Sequence, residues 1–174
     1  TASGRRIAEA AAKKLMPVSL ELGGKSPHIV FADANLDAAV PAVAAGIFEG
    51  SGQSCVAGSR LFVQRSVQAK VLAALREIAC TLRVALPDAA GAQMGPMASF
   101  VHRERVAAMV EAARREGADI VCGGTPPASA ALRDGAFYLP TLVAGIDNRA
   151  TIAQQEIFGP VLCVLPFDDE DDLI

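Results

Sequence analysis

The stretch from residue 29 to residue 63, IVFADANLDAAVPAVAAGIFEGSGQSCVAGSRLFV, decides the fold class of this chain. Residues 29–31 and 61–63 are short apolar runs, which are typical of strands buried on both faces. Between them, residues 36–48 carry apolar side chains at helical spacing, and Asn35 stands where a helix N-cap is expected. A strand, a helix and a second strand in this order predict two parallel strands joined by a crossover helix.

The rest of the chain continues this alternation of strands and helices. We predict helices over residues 3–15, over residues 66–82 with Ser66 as the cap, and over residues 99–116, and strands over residues 119–122, 137–143 and 161–167. The strands are nearly continuous in apolar residues, so the sequence predicts an α/β fold with a mostly parallel sheet and helices on both faces. In such sheets, reactive residues tend to lie beyond the carboxyl ends of the strands.

The composition argues against several classes of function. The chain has 174 residues, with 16 Lys and Arg against 19 Asp and Glu, and its net charge of −3 gives no electrostatic reason to bind nucleic acid. Hydrophobic residues make up 52% and charged residues 20%, which indicates a folded chain with a buried core. The longest apolar stretch, residues 38–48, contains Pro41 and is too short for a membrane span. We therefore expect no nucleic-acid partner and no membrane partner.

The cysteines and histidines bear on metals and on the cellular compartment. The four cysteines lie far apart without a CxxC pair, and only two histidines accompany them, so we predict no metal site. Cys80, Cys122 and Cys163 fall on predicted helices or strands, and we assign them to the core. Reduced thiols favour a cytoplasmic protein. From the start at Thr1 and the stop just after an acidic run, we expect a truncated chain.

The segment EGSGQSCVAGSR, residues 49–60, places Cys55 among glycines that let a backbone approach a ligand closely. A thiol in such a loop can serve as a nucleophile when a helix terminus, a cation or a cofactor favours the thiolate. A cysteine among small residues can equally be a packed core residue. The spacing alone leaves both interpretations open, and the loop precedes a predicted strand instead of following one.

The segment LELGGKSP, residues 20–27, places Glu21 between two leucines at the end of an apolar run. If this carboxyl group is buried, its pKa rises and it can act as a base near neutral pH. If it lies at an exposed strand end, it is an ordinary surface carboxylate. The run GGKS does not have the spacing of a phosphate-binding P-loop, so we exclude that function.

Taken together, residues 20–27 and 52–60 resemble the two signature motifs of the aldehyde dehydrogenase superfamily, in the same order and at a fitting separation. A third segment, QEIFGPV at residues 155–161, resembles a cofactor segment of that family, and residues 95–97 and 137–141 resemble weaker landmarks. The resemblance covers essentially the whole chain. Three specific motifs in the expected order make it far more specific than any one of them alone.

The resemblance implies a role for each matching residue. Cys55 would attack the aldehyde carbon and carry a thiohemiacetal and then a thioester, with its own backbone N–H stabilising the oxyanion. Glu21 would be the general base that activates water for hydrolysis of the thioester. Glu156 would hold the nicotinamide-ribose hydroxyls of NAD or NADP, Phe158 would pack at the same end of the cofactor, and Leu22 and Gly23 would line the nicotinamide pocket. For Phe158 and Leu22, ordinary core packing remains an alternative.

The resemblance also implies a division of the chain. Residues 1–15 would be a helix of a cofactor-binding domain that is otherwise missing, and residues 16–174 would be a truncated part of the catalytic domain. We expect the isolated fragment to be inactive, and the full-length protein to be a homo-oligomer that oxidises a small-molecule aldehyde to a carboxylic acid. Two alternatives stay open: a thiol-dependent ester hydrolase, which would need no nicotinamide, and a non-catalytic folded or assembly module.

Overall fold

The computed structural model describes residues 1–174 and contains one five-stranded sheet. Its strands are β1 (Pro27–Val30), β2 (Arg60–Gln64), β3 (Asp119–Cys122), β4 (Thr141–Ala144) and β5 (Val161–Phe167). They lie in the order β1-β2-β5-β4-β3, and only the β3–β4 pair is antiparallel. The predicted mostly parallel sheet is therefore confirmed, with one antiparallel strand at its edge.

Six α-helices accompany the sheet: α1 (Ala2–Ala12), α2 (Leu36–Phe48), α3 (Arg65–Thr81), α4 (Phe100–Arg115), α5 (Thr151–Gln154) and α6 (Glu170–Leu173). Short 3-10 turns occupy Glu49–Gly52 and Ala130–Leu132. The predicted helix over residues 36–48 is confirmed, and the Asn35 side chain caps it by accepting from the N–H of Asp37 at 3.1 Å. None of the helices combines the length and the apolar character that a membrane span requires.

Helices cover both faces of the sheet, as predicted, and the central strand β5 shows why. Its residues alternate between two hydrophobic clusters because successive side chains of a strand point to opposite faces. Leu162 and Val164 pack with residues of α2 and α3, whereas Val161 and Cys163 pack with residues of α4 and α5. All four residues are fully buried. The core thus consists of two layers that share β5.

The cap predicted at Ser66 is wrong. Strand β2 ends at Gln64 and α3 begins at the next residue, so the backbone leaves no turn in which Ser66 could act as a cap. Gln64 takes the N-cap position without a capping side-chain hydrogen bond. Its side chain instead accepts from the N–H of Ala32 at 2.8 Å and donates to the carbonyl of Asp168 at 3.1 Å, which links the ends of β1 and β5.

Two predicted elements are shorter than the sequence indicated. The strand expected over residues 137–143 is β4, Thr141–Ala144. It starts later than expected because the backbone before it forms hydrogen bonds with a loop instead of a strand: the N–H of Leu139 donates to the carbonyl of Thr125 at 3.0 Å. The helix expected over residues 3–15 is α1, Ala2–Ala12, and Leu15 has a φ of 53° and is 94% exposed. Of α1, only Gly4 is buried, against the side chains of Leu20 and Leu22.

The cysteines predicted in the core do not share one environment. Cys163 on β5 is buried and Cys122 on β3 is partly buried, whereas Cys80 on α3 is exposed, so its assignment to the core is wrong. Helix α3 buries Val71, Leu75 and Ala79 at intervals of four residues. Cys80 follows Ala79 directly and is therefore rotated by about 100° away from the buried stripe.

Truncation of a β5 side chain should destabilise the whole fold. We expect Leu162→Ala to lower the free energy of unfolding by about 3 kcal/mol, because it leaves a cavity between the sheet and helices α2 and α3. Urea unfolding followed by circular dichroism measures the change. Val101→Ala is the matched control, since Val101 is 83% exposed and its truncation should change stability by less than about 0.5 kcal/mol. Equal effects of the two substitutions would contradict the central place of β5.

Candidate functional site

The three sequence motifs meet at one edge of the sheet. Residues 21–26 lead into β1, residues 55–59 lead into β2, and residues 156–160 lead into β5. These strands are neighbours and parallel, with Pro27 paired to Arg60 and Arg60 paired to Cys163. Because the amino ends of parallel strands share one edge, segments that are far apart in sequence become adjacent. The three segments, and with them the candidate site, therefore lie at the amino edge of the sheet and not beyond the carboxyl ends of the strands.

Direct contacts join the three segments. The N–H of Gly24 donates to Oε1 of Glu156 at 3.3 Å, which links the first segment to the third. A Cβ added to Gly24 would lie 3.1 Å from the carbonyl oxygen of Cys55, so the first segment also touches the second. Gly52 packs so closely on the carbonyl of Gly159 that a side chain there would overlap it. The structure thus brings the Cys55 loop together with the Gly23, Gly24 and Glu156 region.

Arg60 fastens the first two segments to each other. Its Nε and Nη2 donate to the carbonyl oxygen of Lys25 at 3.0 and 2.7 Å, and its backbone N–H donates to the carbonyl of Ser26 at 3.3 Å. Its Nη1 also donates to Oδ1 of Asn148 at 3.2 Å. Arg60 belongs to the quoted Cys55 segment, yet its sequence context gave no sign of this role.

Cys55 lies in an exposed turn, so the core interpretation of this residue is wrong. The turn follows three residues in the left-handed region, Gly50, Ser51 and Gly52, with φ values of 58°, 58° and 67°. The N–H of Ala57 then donates to the carbonyl of Ser54 at 3.2 Å, which closes the turn around Cys55. The backbone N–H of Cys55 has no acceptor within the chain. Both the thiol and this N–H are therefore available to a ligand.

Glu21 lies at the surface, where its carboxylate makes no hydrogen bond and no ion pair. The structure therefore supports the exposed interpretation of Glu21 and not the buried one. Leu22 is 42% exposed and packs on Gly4 of α1. None of the six predicted site residues lines the principal surface cavities of the chain, so the site is an open edge in this structure.

Glu156 is partly buried, and Gly23 makes room for it. A Cβ added to Gly23 would overlap the carboxylate of Glu156, so a side chain at position 23 would displace this group. The Lys25 ammonium lies nearby, is buried and has no hydrogen-bond partner. Burial lowers its pKa, while the neighbouring Cys163 thiol and Glu156 carboxylate oppose this shift and Arg60 adds to it.

Phe158 adopts a left-handed backbone conformation, with a φ of 58°, and the residue is 39% exposed. Nε2 of His102, on the first turn of α4, donates to the carbonyl oxygen of Phe158 at 2.6 Å. His102 lies outside the three motifs, so its sequence position gives no sign of this contact.

His28 on β1 fills a slot between two glycines. A Cβ on Gly46 of α2 would lie 2.7 Å from its Nε2, and a Cβ on Gly58 of the Cys55 loop would overlap the ring. The N–H of Gly58 donates to the carbonyl of Gly46 at 3.0 Å, so helix and loop meet against this ring. Burial lowers the pKa of His28, and its Nε2 has no partner. No group of three or more His, Cys, Asp or Glu side chains is arranged to hold a metal ion.

Comparisons with known proteins agree on one family. A family model described as "Aldehyde dehydrogenase family" matches residues 1–174. The chain is 45% identical over 172 residues to a betaine aldehyde dehydrogenase of Rhizobium etli, and 42% identical to one of Cereibacter sphaeroides; each match covers 99% of this chain and 35% of the relative. The chain thus spans about a third of the length of these relatives.

Solved structures give the same result at the level of the fold. A betaine aldehyde dehydrogenase of Staphylococcus aureus in complex with NAD+ superimposes with a TM-score of 0.96 and 37% identity, over 99% of this chain and 34% of that chain. An aldehyde dehydrogenase mutant of Bacillus cereus gives a TM-score of 0.95 at 37% identity, over 99% and 35% of the two chains.

The slot around His28 predicts that the stability cost of a substitution at Gly58 depends on the side chain at position 28. We expect Gly58→Ala to lower the free energy of unfolding by about 1–3 kcal/mol, because the new methyl group collides with the imidazole. In a His28→Ala background the same substitution should cost about 1 kcal/mol less. Denaturant unfolding of the two single variants and the double variant measures this coupling. Additive effects would contradict the slot. The measurement belongs at pH 8, because the lowered pKa leaves His28 neutral there, as it is in the unfolded chain.

Proposed function

Because the chain belongs to the aldehyde dehydrogenase family, we propose that it supplies the nucleophile, the base and the cofactor-holding residues of an enzyme that oxidises an aldehyde to a carboxylic acid with NAD+. The observation that carries the proposal is the meeting of the Cys55, Glu21 and Glu156 segments at one sheet edge. Relatives at 42–45% identity are named betaine aldehyde dehydrogenases, so betaine aldehyde is the first substrate to test.

Cys55 acts as the nucleophile in this proposal. The thiol loses its proton to water, the resulting thiolate attacks the aldehyde carbon, a C–S bond forms, and the carbonyl electron pair moves to oxygen. The N–H of Cys55 donates to this oxygen, and its lack of an acceptor within the chain supports that role. The exposure of the thiol supports access for the substrate. Loss of hydride from the same carbon leaves a thioester on the sulfur.

Glu21 acts as the general base for hydrolysis of the thioester. It takes a proton from water as the water oxygen attacks the thioester carbon. The C–S bond then breaks, the carboxylic acid leaves, and the proton held by Glu21 passes to the sulfur and restores the thiol. Its carboxylate is accessible to water and its segment meets the Cys55 loop, which supports this role without the burial that the sequence left open. Two residues separate Glu21 from Gly24, which faces the carbonyl of Cys55.

The residues around Glu156 fit the nicotinamide end of NAD+. The carboxylate of Glu156 has one intramolecular donor, the N–H of Gly24, so further lone pairs can accept from the two ribose hydroxyls. Phe158, two residues along the chain, is exposed and offers an apolar surface, and Gly23 lies directly against the Glu156 carboxylate, with the exposed Leu22 next to it in sequence. NAD+, when bound, supplies the acceptor for the hydride that leaves the substrate carbon. The NAD+ bound by the Staphylococcus aureus relative favours NAD+ over NADP+.

The proposal extends to the whole protein. We assign residues 1–15 to a cofactor-binding domain and residues 16–174 to part of the catalytic domain. The poor burial of α1, of which only Gly4 is buried, supports this division. The protein would be a cytoplasmic homo-oligomer, and this chain alone would be inactive.

The base role of Glu21 can be tested by trapping the thioester. In the full-length protein, Glu21→Gln should release about one equivalent of NADH per site and then turn over about 100-fold more slowly, because deacylation lacks its base. Stopped-flow absorbance follows NADH, and mass spectrometry of the intact protein detects the acyl group on Cys55. Glu77→Gln, at an exposed position on α3, is the control and should behave as wild type. Unchanged turnover of Glu21→Gln would reject the base role, and ester hydrolysis without NAD+ would favour the hydrolase alternative.

The nucleophile can be identified by the order in which the thiols react. With limiting iodoacetamide at pH 7, we expect alkylation of Cys55 first, and of Cys122 and Cys163 last. Burial raises the pKa of the Cys122 thiol to about 11 and also raises the pKa of the Cys163 thiol, so the thiolate fraction of each is small at this pH. Cys80 is exposed and serves as the internal control. Peptide mapping by mass spectrometry gives the order, and faster modification of Cys80 than of Cys55 would contradict the assignment.

A further inference from the structure

The segment from Gly95 to His102, which we term the 95–102 brace, contacts both the Cys55 loop and the Phe158 loop. The hydroxyl of Ser51 donates to the carbonyl of Gly95 at 2.9 Å, and the N–H of Ala98 donates to Oε1 of Gln53 at 2.8 Å. At the far end of the brace, Nε2 of His102 donates to the carbonyl of Phe158 at 2.6 Å. One short segment thus holds two of the three loops of the site.

The Phe158 loop needs such a support because its backbone is strained. Phe158 has a φ of 58°, a region in which a residue with a bulky side chain is seldom found. A strained conformation of this kind persists only where its surroundings enforce it. The next residue, Gly159, lies against Val106 and Met97, since a Cβ there would approach Val106 to 2.9 Å. Packing therefore fixes Gly159, and His102 fixes the carbonyl of Phe158.

His102 is itself held in place. Its backbone N–H donates to the Ser99 hydroxyl that caps α4, at 3.2 Å, so the first turn of the helix is anchored. Its ring lies 5.9 Å from the ring of Phe158, tilted by 58°. Because the carbonyl of Phe158 can only accept, Nε2 of His102 carries the proton. The donor is thus positioned by a rigid element and not by a flexible loop.

We propose that His102 is a positioning residue for the cofactor: its hydrogen bond to Phe158 fixes the left-handed turn after Glu156 and so sets where the Glu156 carboxylate and the Phe158 ring meet the nicotinamide end of NAD+. The proposal rests on the proposed function. His102 acts through Phe158, and it touches neither the thiol nor the reacting atoms. Its loss should weaken binding of NAD+ more than it slows acylation of Cys55.

The test compares His102→Gln with His102→Asn in the full-length protein. A glutamine amide reaches about as far as Nε2 of histidine and can donate to the carbonyl of Phe158, whereas an asparagine amide is too short. Isothermal titration calorimetry with NAD+ should give a Kd within twofold of wild type for His102→Gln, and a Kd about three- to tenfold higher for His102→Asn. Val101→Ala, at the exposed neighbouring position, should leave the Kd unchanged.

A second measurement does not involve the cofactor. Hydrogen–deuterium exchange of the peptide that covers residues 156–160 should be faster in His102→Asn than in His102→Gln or wild type, because the turn opens more often without its donor. Equal exchange rates and equal Kd values for the two variants would overturn the proposal while the proposed function stands. Failure of the wild-type protein to bind NAD+ would overturn the proposed function and this inference with it.

Discussion

The parallel pairing of β1, β2 and β5 is the constraint on which the site depends. Each of these strands is preceded by one of the three motif segments, and parallel strands carry their amino ends to the same edge. The pairing is stabilised by burial, since Leu61 and Val63 of β2 and nearly all of β5 are inaccessible to solvent. A shift of β2 by one residue would turn its apolar side chains to the other face and separate Cys55 from Gly24.

The sequence predicts most of the elements, and its failures have local physical causes. Continuous apolar runs and helical periodicity correctly identify residues 36–48, 119–122 and 161–167. The cap at Ser66 fails because β2 passes into α3 without a turn, and the core assignment of Cys80 fails because it lies one residue past the buried stripe of α3. The first error concerns the boundary of an element, and the second concerns which side of a helix faces the core. A single sequence specifies both of these weakly.

The candidate site is predictable only in part, because the motifs identify its residues but do not show which of them contact one another. The pairing of distant strands creates the contacts of the site. It brings the N–H of Gly24 to the carboxylate of Glu156 and the guanidinium of Arg60 to the carbonyl of Lys25, and it leaves Cys55 exposed. His102 lies outside every motif and reaches the Phe158 loop only through the packing of α4 on the sheet. Lys25 and His28 lie within or next to a quoted segment, yet their burial without partners is a property of the assembled edge.

The position of the site at the amino edge also determines its electrostatics. Helix α2 runs back from the carboxyl end of β1 to the Cys55 loop, so its last carbonyl groups, and with them the negative end of its macrodipole, point toward the site. Many anion-binding sites draw their positive potential from a helix N-terminus. Helix α2 does not present its N-terminus to this edge. Positive potential at this edge comes from the amino end of α4, whose first turn lies against the Phe158 loop, and from single groups: the Cys55 amide, the guanidinium of Arg60 and the ammonium of Lys25.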